Sequence, residues 1–155
     1  MRDVRLDVLV ENLGHINYGF MMGQMKGFDM AKIYNTQFFD WDITSLPMDN
    51  FDNLDYQDMG EDVEDMPTFF KGSFNVTEMG DTFLQVKGAD KGFVIINGFN
   101  LGRFYNSAKP QGTLYVPATC LKEGKNEILV FASDIFEKIS CQFHKEPIWS
   151  SVTTK

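Results

Sequence analysis

The dipeptide Asn97-Gly98 constrains the fold of this chain more than any other feature of its sequence. It separates the apolar run Gly92–Ile96 from the run Phe99–Tyr105, and Asn-Gly between two such runs is the strongest short-range indication of a β-hairpin. Both turn residues need positive φ, which Gly and Asn adopt at low cost. The first run is apolar throughout, as in a strand that is covered on both faces. The sequence therefore predicts a hairpin over residues 92–105.

Short strands are indicated along most of the chain. Apolar, β-branched and aromatic runs bounded by turn residues predict strands at Arg5–Glu11, Phe69–Val76, Thr82–Val86, Gly112–Pro117, Glu127–Ala132 and Ile139–His144. In the second of these runs, alternate side chains share one face: Phe70, Gly72, Phe74 and Val76. Helical segments are limited to single turns at Ala118–Lys122 and Asp134–Ser140. Many short strands without a long helix predict an all-β chain folded as a β-sandwich.

The composition supports a folded chain and argues against several classes of partner. Hydrophobic residues make up 43% of the 155 residues and include 15 Phe, which is enough for a real core. The formal net charge of −8 argues against a nucleic-acid surface, because phosphate binding needs clustered Lys and Arg. No apolar run approaches the roughly 20 residues of a membrane helix, so no membrane partner is expected. The charged start, Met1–Asp7, shows no secretion signal, so the compartment stays open and is cytoplasmic if a longer parent lacks a signal.

The stretch between Lys32 and Lys71 contains no Lys or Arg and accumulates acidic residues. Its acidic side chains include Asp49, Asp52, Asp55, Asp58, Glu61, Asp62, Glu64 and Asp65. Such a charge run indicates a solvated linker or long loop. Carboxylate oxygens could also hold Ca²⁺, but the spacing does not fit the D-x-[DN]-x-[DN]-G pattern of an EF-hand.

Sequence patterns for enzymatic chemistry are missing. There is no phosphate-binding G-x-x-x-x-G-K-[ST], no dinucleotide-binding G-x-G-x-x-G and no G-x-S-x-G nucleophile elbow. His15 and His144 are too few for a zinc site, and the two cysteines form no C-x-x-C, so no metal or cofactor is expected. Cys141 and His144 lie close in sequence, but neighbours on a strand often face apart, which argues against a catalytic dyad. Cys120 and Cys141 are interpreted as free thiols, and no catalytic residue is predicted.

Two segments carry a family resemblance. Residues 6–19, LDVLVENLGHINYG, are similar to the pattern L-D-[IL]-L-V-E-N-M-G-R-V-N-Y-G of the family 35 β-galactosidases. Residues 91–105, KGFVIINGFNLGRFY, resemble the same family's K-G-x-V-[WF]-[IV]-N-G-x-N-L-G-R-[YF]-W. Shorter matching pieces follow in the family's order, so the resemblance covers roughly Arg5 to Ile148. Two departures from the pattern matter. His15 stands where the family has arginine, and Tyr105 stands where it has tryptophan; both positions tolerate a change of side-chain size.

The resemblance implies an accessory role rather than catalysis. In that family the catalytic acid and nucleophile are glutamates on an N-terminal (β/α)₈ barrel of about 250 residues, which this chain is too short to contain. Residues 1–48 are expected to be closing strands of a preceding β-domain, 49–66 an acidic linker or loop, 67–150 a galactose-binding-like jelly roll and 151–155 a tail. The chain alone is therefore expected to be no enzyme. The parent would be a retaining β-galactosidase, on whose barrel this β-region packs and to whose active-site rim it contributes.

The same resemblance suggests which residues approach the sugar. Tyr18, with Asn17 beside it, lies in the loop that is expected to reach the active-site rim of the complete enzyme, where an aromatic ring stacks on a sugar face. Weaker candidates for carbohydrate contact are Trp41, Arg103, Tyr105 and Trp149. The alternative for each is ordinary packing or ion pairing, and the chain is expected to contact the β-galactoside substrate at most indirectly.

Two other functions stay open. The first is an independent carbohydrate-binding module, and the second is an interaction domain without sugar contact. Exposure of Trp41, Tyr105 and Trp149 in a cleft would favour the module, whereas their burial would favour the accessory role.

Overall fold

The computed structural model describes residues 5–12, 14–20, 22–23, 26–60, 65–108 and 111–149. The chain divides into two units, Met1–Phe51 and Asp52–Lys155. In the described part of the first unit, the strands are β1 (Lys32–Ile33) and β2 (Thr36–Gln37), which pair in antiparallel fashion. The described residues include no helix with the length and apolarity that crossing a bilayer requires.

The strand predicted at Arg5–Glu11 does not form. Its apolar side chains are 45–57% exposed: Leu6, Val8, Leu9 and Val10. A strand is stable in water only when it is paired and packed on a hydrophobic face. The prediction is wrong because the described part of the first unit supplies no partner strand for this segment.

The second unit is a sandwich of two antiparallel sheets. Among its described residues, one sheet has the strand order β3-β8-β5-β6 and the other the order β7-β4-β9. The elements are β3 (Thr68–Val76), β4 (Thr82–Ala89), β5 (Lys91–Ile96), β6 (Phe99–Tyr105), β7 (Leu114–Val116), a 3₁₀ turn (Ala118–Cys120), β8 (Gly124–Ala132) and β9 (Ile135–His144). The all-β sandwich that the sequence predicts is therefore confirmed.

The core lies between the two sheets. Buried side chains from both sheets meet there: Leu84, Val86, Val94, Ile96, Phe104, Val116, Ile128, Val130 and Ile135. Phe70, Phe74 and Val76 pack against this cluster from β3, which confirms the face predicted for that strand. Burial of each large apolar side chain stabilises the fold by about 1.5–3 kcal/mol relative to exposure, so this layer is what holds the two sheets together.

The β5–β6 hairpin forms at the predicted dipeptide, where Asn97 and Gly98 have φ of 50° and 83°. Gly92 on β5 lies opposite Phe104 on β6. A Cβ atom at Gly92 would lie 2.8 Å from the Phe104 ring and would also collide with the carbonyl oxygen of Phe131. A glycine at this position therefore lets the Phe104 ring lie across β5 and enter the core.

Strand β9 replaces the helical turn that the sequence predicts at Asp134–Ser140. The residues from Ile135 onward pair with β4, and a bulge at Gly88 of β4 accommodates the extra residues of β9. Gly88 has a φ of 93°, and a Cβ atom there would lie 2.6 Å from the carbonyl oxygen of Lys138. The prediction is wrong because pairing with β4 outweighs the local preference of the segment. The other predicted helical turn, at Ala118–Lys122, appears as the 3₁₀ turn.

Part of the acidic segment packs on the sandwich. No strand or helix forms within residues 52–60, and the aspartates of this stretch are exposed. Tyr56 is half-buried, and the Lys71 ammonium lies 5.6 Å from the centre of its ring. Lys71 also pairs with Glu127 of β8 at 2.9 Å. The carboxylates of the segment thus lie in water, while the Tyr56 ring contacts Lys71 of β3, which pairs with Glu127 of β8.

A buried pair of asparagines joins the hairpin turn to the start of β8. Asn126 is 1% exposed, and its Nδ2 donates to the carbonyls of Lys122 and Gly124 at 2.7 and 2.9 Å. Its Oδ1 accepts from the Lys122 N–H at 2.8 Å and from Asn97 Nδ2 at 2.7 Å. Asn97 Nδ2 also donates to the Cys120 carbonyl at 2.8 Å. Every hydrogen-bonding position of the Asn126 amide is used, as a buried polar group requires.

Replacing Asn126 with alanine is expected to lower the free energy of unfolding by about 2–4 kcal/mol, because the backbone groups of Lys122 and Gly124 lose their partners in a buried site. Urea denaturation followed by intrinsic fluorescence measures this. Asn75→Ala is the matched control, since Asn75 is exposed on β3, and we expect it to change stability by less than about 0.5 kcal/mol. Equal effects of the two substitutions would contradict the role given to Asn126.

Candidate functional site

A pocket of about 200 Å³ opens at the edge of the sandwich, where β6 of one sheet approaches β7 of the other. Core side chains form its floor: Leu84, Val86, Phe104 and Leu114. More polar residues form its rim: Arg103, Tyr105, Asn106, Gln111 and Thr113. We refer to this site as the edge pocket.

Two residues singled out in the sequence meet at the edge pocket. Arg103 and Tyr105 are alternate residues of β6, so their side chains lie on the same side of the strand. Phe104 between them is 7% exposed and belongs to the core. Tyr105 is 41% exposed and therefore remains accessible from solvent.

The rim is held by amide side chains that sequence reasoning did not single out. Asn106 Nδ2 donates to the carbonyls of Val86 and Ala89 at 3.0 and 2.8 Å, which fastens the end of β6 to β4. Gln111 Nε2 donates to the Thr113 carbonyl at 2.6 Å. These residues lie in and beside the loop between β6 and β7, where no periodicity or motif marks them. Asn106 takes its place through its contacts with β4, and Gln111 through its contact with Thr113.

Trp149 lies beside the edge pocket but does not line it. Its backbone forms a bridge with Gln111, and the preceding residue, Ile148, accepts a hydrogen bond from the Gly112 N–H at 2.9 Å. The side chain of Trp149 is 63% exposed. The structure therefore places this predicted residue next to Gln111 of the edge pocket, with its ring largely open to solvent.

The remaining predicted residues belong to the first unit. Asn17 and Tyr18 are exposed, and the Tyr18 side chain is 88% exposed. Trp41 is half-buried and packs edge-to-face against Phe28, with ring centres 5.4 Å apart. Packing of this kind is common for tryptophan. Trp41 therefore differs from Asn17 and Tyr18, whose side chains are exposed.

The chemistry available at the edge pocket is binding chemistry. A guanidinium, a phenol, amides and a hydroxyl surround it, and among the residues that the structure describes none of those lining it is a carboxylate, histidine or cysteine. Its volume is below the roughly 300–1,000 Å³ of sites for drug-sized ligands. In the part of the chain that the structure describes, no three His, Cys, Asp or Glu residues are arranged to hold a metal ion.

The cysteine and histidine near the C-terminus do not form a dyad. Cys141 lies opposite Val86 and packs against the core, whereas His144 lies opposite Phe83 on the other face of the sheet. Burial raises the pKa of the Cys141 thiol to about 11, so it is protonated at neutral pH. A protonated thiol is a poor nucleophile. Cys141 and His144 therefore lie on opposite faces of the sheet.

Comparison with known proteins identifies the central part of the second unit. Residues 67–126 match the family model of the β-galactosidase galactose-binding domain. This segment is similar to the galactose-binding domain of β-galactosidases. The matched segment contains the whole of β6 and the rim of the edge pocket.

The chain outside the matched segment is also similar to β-galactosidases. It is 31% identical over 152 residues to beta-galactosidase 1 of Dictyostelium discoideum. It is 35% identical over 134 residues to beta-galactosidase-1-like protein 2 of Homo sapiens, and 32% identical over 179 residues to the beta-galactosidase of Homo sapiens. The alignments cover 92%, 81% and 96% of this chain but only 22%, 21% and 26% of the relatives. The chain therefore spans about a fifth to a quarter of these relatives, and the resemblance read from the two motifs is confirmed.

In the Cys120→Ser variant at pH 8, we expect Cys141 to be alkylated about a hundredfold more slowly in the folded protein than in the protein unfolded by urea. The reason is that folding raises the pKa of the Cys141 thiol from 9.0 to about 11, which lowers the fraction of thiolate. The raised folded pKa also means that the protonated thiol favours the folded state. That contribution is complete below pH 9 and is lost as the pH rises through about 11. Mass spectrometry of iodoacetamide-treated samples measures the rates. Folded and unfolded rates within tenfold of each other would contradict the burial of this thiol.

Proposed function

We propose that this chain is the non-catalytic accessory β-region of a β-galactosidase, that it packs on the catalytic barrel of its parent and that it contributes to the rim of the active site. The similarity to β-galactosidases supports the parent's activity, and the limited share of each relative that the chain covers supports an accessory part. The chemistry of the edge pocket also supports this view, because its lining offers hydrogen bonds and ring contacts without a catalytic carboxylate.

The exposed apolar surface of the first unit is the observation that carries the proposal. Large apolar side chains are almost entirely in water: Tyr18, Phe20, Tyr34 and Ile43 are each at least 88% exposed. Contiguous apolar surface on a soluble protein marks an interaction site or an aggregation hazard. A barrel surface covering this unit would bury these side chains and supply the packing that its two short strands lack.

Tyr18 supports a contribution to the active-site rim. Its ring is exposed in the segment that resembles the family's N-Y-G loop, so one ring face is available for stacking on a sugar. Asn17 beside it is exposed as well and offers an amide to a sugar hydroxyl. Both residues would act only when the barrel presents a substrate to them.

The chain alone is expected to release no product from a chromogenic β-galactoside above a buffer blank, because the two catalytic carboxylates belong to the barrel. The assay needs protein from a host without its own β-galactosidase. Turnover that follows the chain through purification would overturn the accessory role.

In the proposed parent protein with its barrel, Tyr18→Ala is expected to lower kcat/KM about two- to tenfold, since one ring stacking contact is worth about 0.5–1.5 kcal/mol. Tyr34→Ala is the matched control, because Tyr34 is equally exposed in the same unit and is not in the N-Y-G segment. Initial rates over a range of substrate concentrations measure both. A loss with Tyr34→Ala as large as with Tyr18→Ala would speak against a specific rim contact.

A second candidate function is an independent carbohydrate-binding module that uses the edge pocket. The meeting of Arg103 and Tyr105 at this pocket, with the exposed Trp149 beside it, favours this candidate. The small volume limits the ligand to about one monosaccharide, so we expect galactose to bind with a dissociation constant weaker than about 1 mM. Titration calorimetry with galactose measures this dissociation constant. Sub-millimolar binding that Tyr105→Ala abolishes would favour the carbohydrate-binding module over the accessory role.

A further inference from the structure

Part of the rim of the edge pocket is made by residues that lie outside the paired strands. Strand β7 begins at Leu114, which pairs with Leu84 of β4, so the preceding residues Gln111–Thr113 lie beyond this ladder. All three of them line the edge pocket. Pairing between β4 and β7 therefore leaves this part of the rim to be held by other contacts.

Those contacts come from the segment 145–149 that follows β9, which we call the strap. The Gly112 N–H donates to the Ile148 carbonyl at 2.9 Å, and the Ile148 N–H donates to Thr113 Oγ1 at 3.2 Å. The backbone bridge formed by Gln111 lies beside these two bonds. Each of the three rim residues is thus joined to the strap.

Thr113 is the residue at which the strap and the pocket rim are connected. It is 4% exposed, and its Oγ1 accepts the hydrogen bond from the Ile148 N–H. Its carbonyl accepts from Gln111 Nε2 at 2.6 Å, which orients an amide of the rim. Buried polar groups are stable when they are hydrogen-bonded, so the Thr113 hydroxyl favours the docked position of the strap.

The strap is held less firmly than the sheets. Three of its five side chains are exposed, and the other two, Pro147 and Ile148, are half-buried. Its first residues carry the chain from β9, on one side of β4, to the loop before β7, on the other side. Segments with few buried apolar contacts open locally at a low free-energy cost. The strap can therefore detach while the core between the sheets stays folded.

We propose that the edge pocket is the closed form of a larger site, which opens when the strap detaches from Gln111–Thr113. The closed pocket of about 200 Å³ is smaller than the roughly 300–1,000 Å³ of sites for drug-sized ligands. Movement of the released rim uncovers Leu84 and Val86 on the floor. By linkage, a ligand that needs the open site favours the detached strap, and the docked strap weakens that ligand. The inference rests on the second candidate function, in which the edge pocket binds a ligand, and adds its regulation.

The experiment removes one strap hydrogen bond from each of its two ends in the full chain. Thr113→Val takes away the acceptor, and Ile148→Pro takes away the donor. In both variants we expect the Gly112 amide to exchange at least about tenfold faster, and a soluble nitroxide to broaden the methyl NMR signals of Leu84 and Val86 about twofold more. Thr113→Ser keeps the hydroxyl and is the matched control, in which both measurements stay unchanged. Ile148→Pro alters only the strap, so it decides the result if Thr113→Val does not fold.

Val94 of β5 is the internal reference, because it is fully buried and is not among the described residues that line the edge pocket. Unchanged exchange of the Gly112 amide would overturn the proposal, since other contacts would then hold the rim. Faster exchange without broadening at Leu84 and Val86 would also overturn it, because the floor would stay closed. Equal changes at Val94 would mean general loosening of the sandwich and would contradict a local opening. These measurements need no sugar and no attached barrel, so their failure is distinguishable from failure of the proposed function.

Discussion

The buried amide of Asn126 is the contact on which the arrangement of the second unit depends. It satisfies backbone groups at the start of β8 and, through Asn97, holds the turn of the β5–β6 hairpin against the same point. Because an unpaired buried polar group costs about 1–3 kcal/mol, a turn that moved away from this amide would be strongly disfavoured. The position of that turn sets where β6 runs, and β6 carries Arg103 and Tyr105 to the edge of the sandwich.

Strand β4 connects the core to two surfaces of different chemistry. Its inward side chains, Leu84 and Val86, form part of the core and the floor of the edge pocket. Its outward side chains are Phe83, which lies opposite Tyr115 of β7, and Gln85, which lies opposite Gln142 of β9. Successive side chains of a β-strand point to opposite faces of the sheet, so neighbouring residues of β4 belong to different surfaces. The inward surface forms the floor of the edge pocket, and the outward surface faces away from the core.

The two units differ in how far they satisfy their own apolar residues. The second unit buries a continuous layer between two sheets, whereas the first unit exposes large apolar side chains and has two short strands among its described residues. Apolar burial is worth about 25 cal/mol per Å², so a surface that covered the first unit would gain considerable stabilisation. This imbalance supports the proposal that other parts of a β-galactosidase cover the first unit, since the chain spans only 22–26% of two of its relatives.

Local chemistry allowed much of the fold to be predicted from the sequence alone. The Asn97-Gly98 turn and the alternation of Phe70, Phe74 and Val76 depend on backbone sterics and on the two-residue period of a strand, which neighbouring residues determine. The two family-like motifs, and the absence of catalytic patterns, could likewise be read directly. These features indicated the sandwich and the accessory character before any contact was known.

Only the tertiary structure decided which residues share a site. The pairing of β9 with β4 overrode a local helical pattern, and the lack of a partner left Arg5–Glu11 without a strand. Asn106 joins Tyr105 at the edge pocket, and Phe83 lies between Tyr115 and His144, only because particular strands pair in a particular register. Register depends on the packing of residues far apart in the chain, and a shift by one residue would turn each side chain to the opposite face. The local sequence therefore determines which segments can be strands, and the shared core determines which side chains meet.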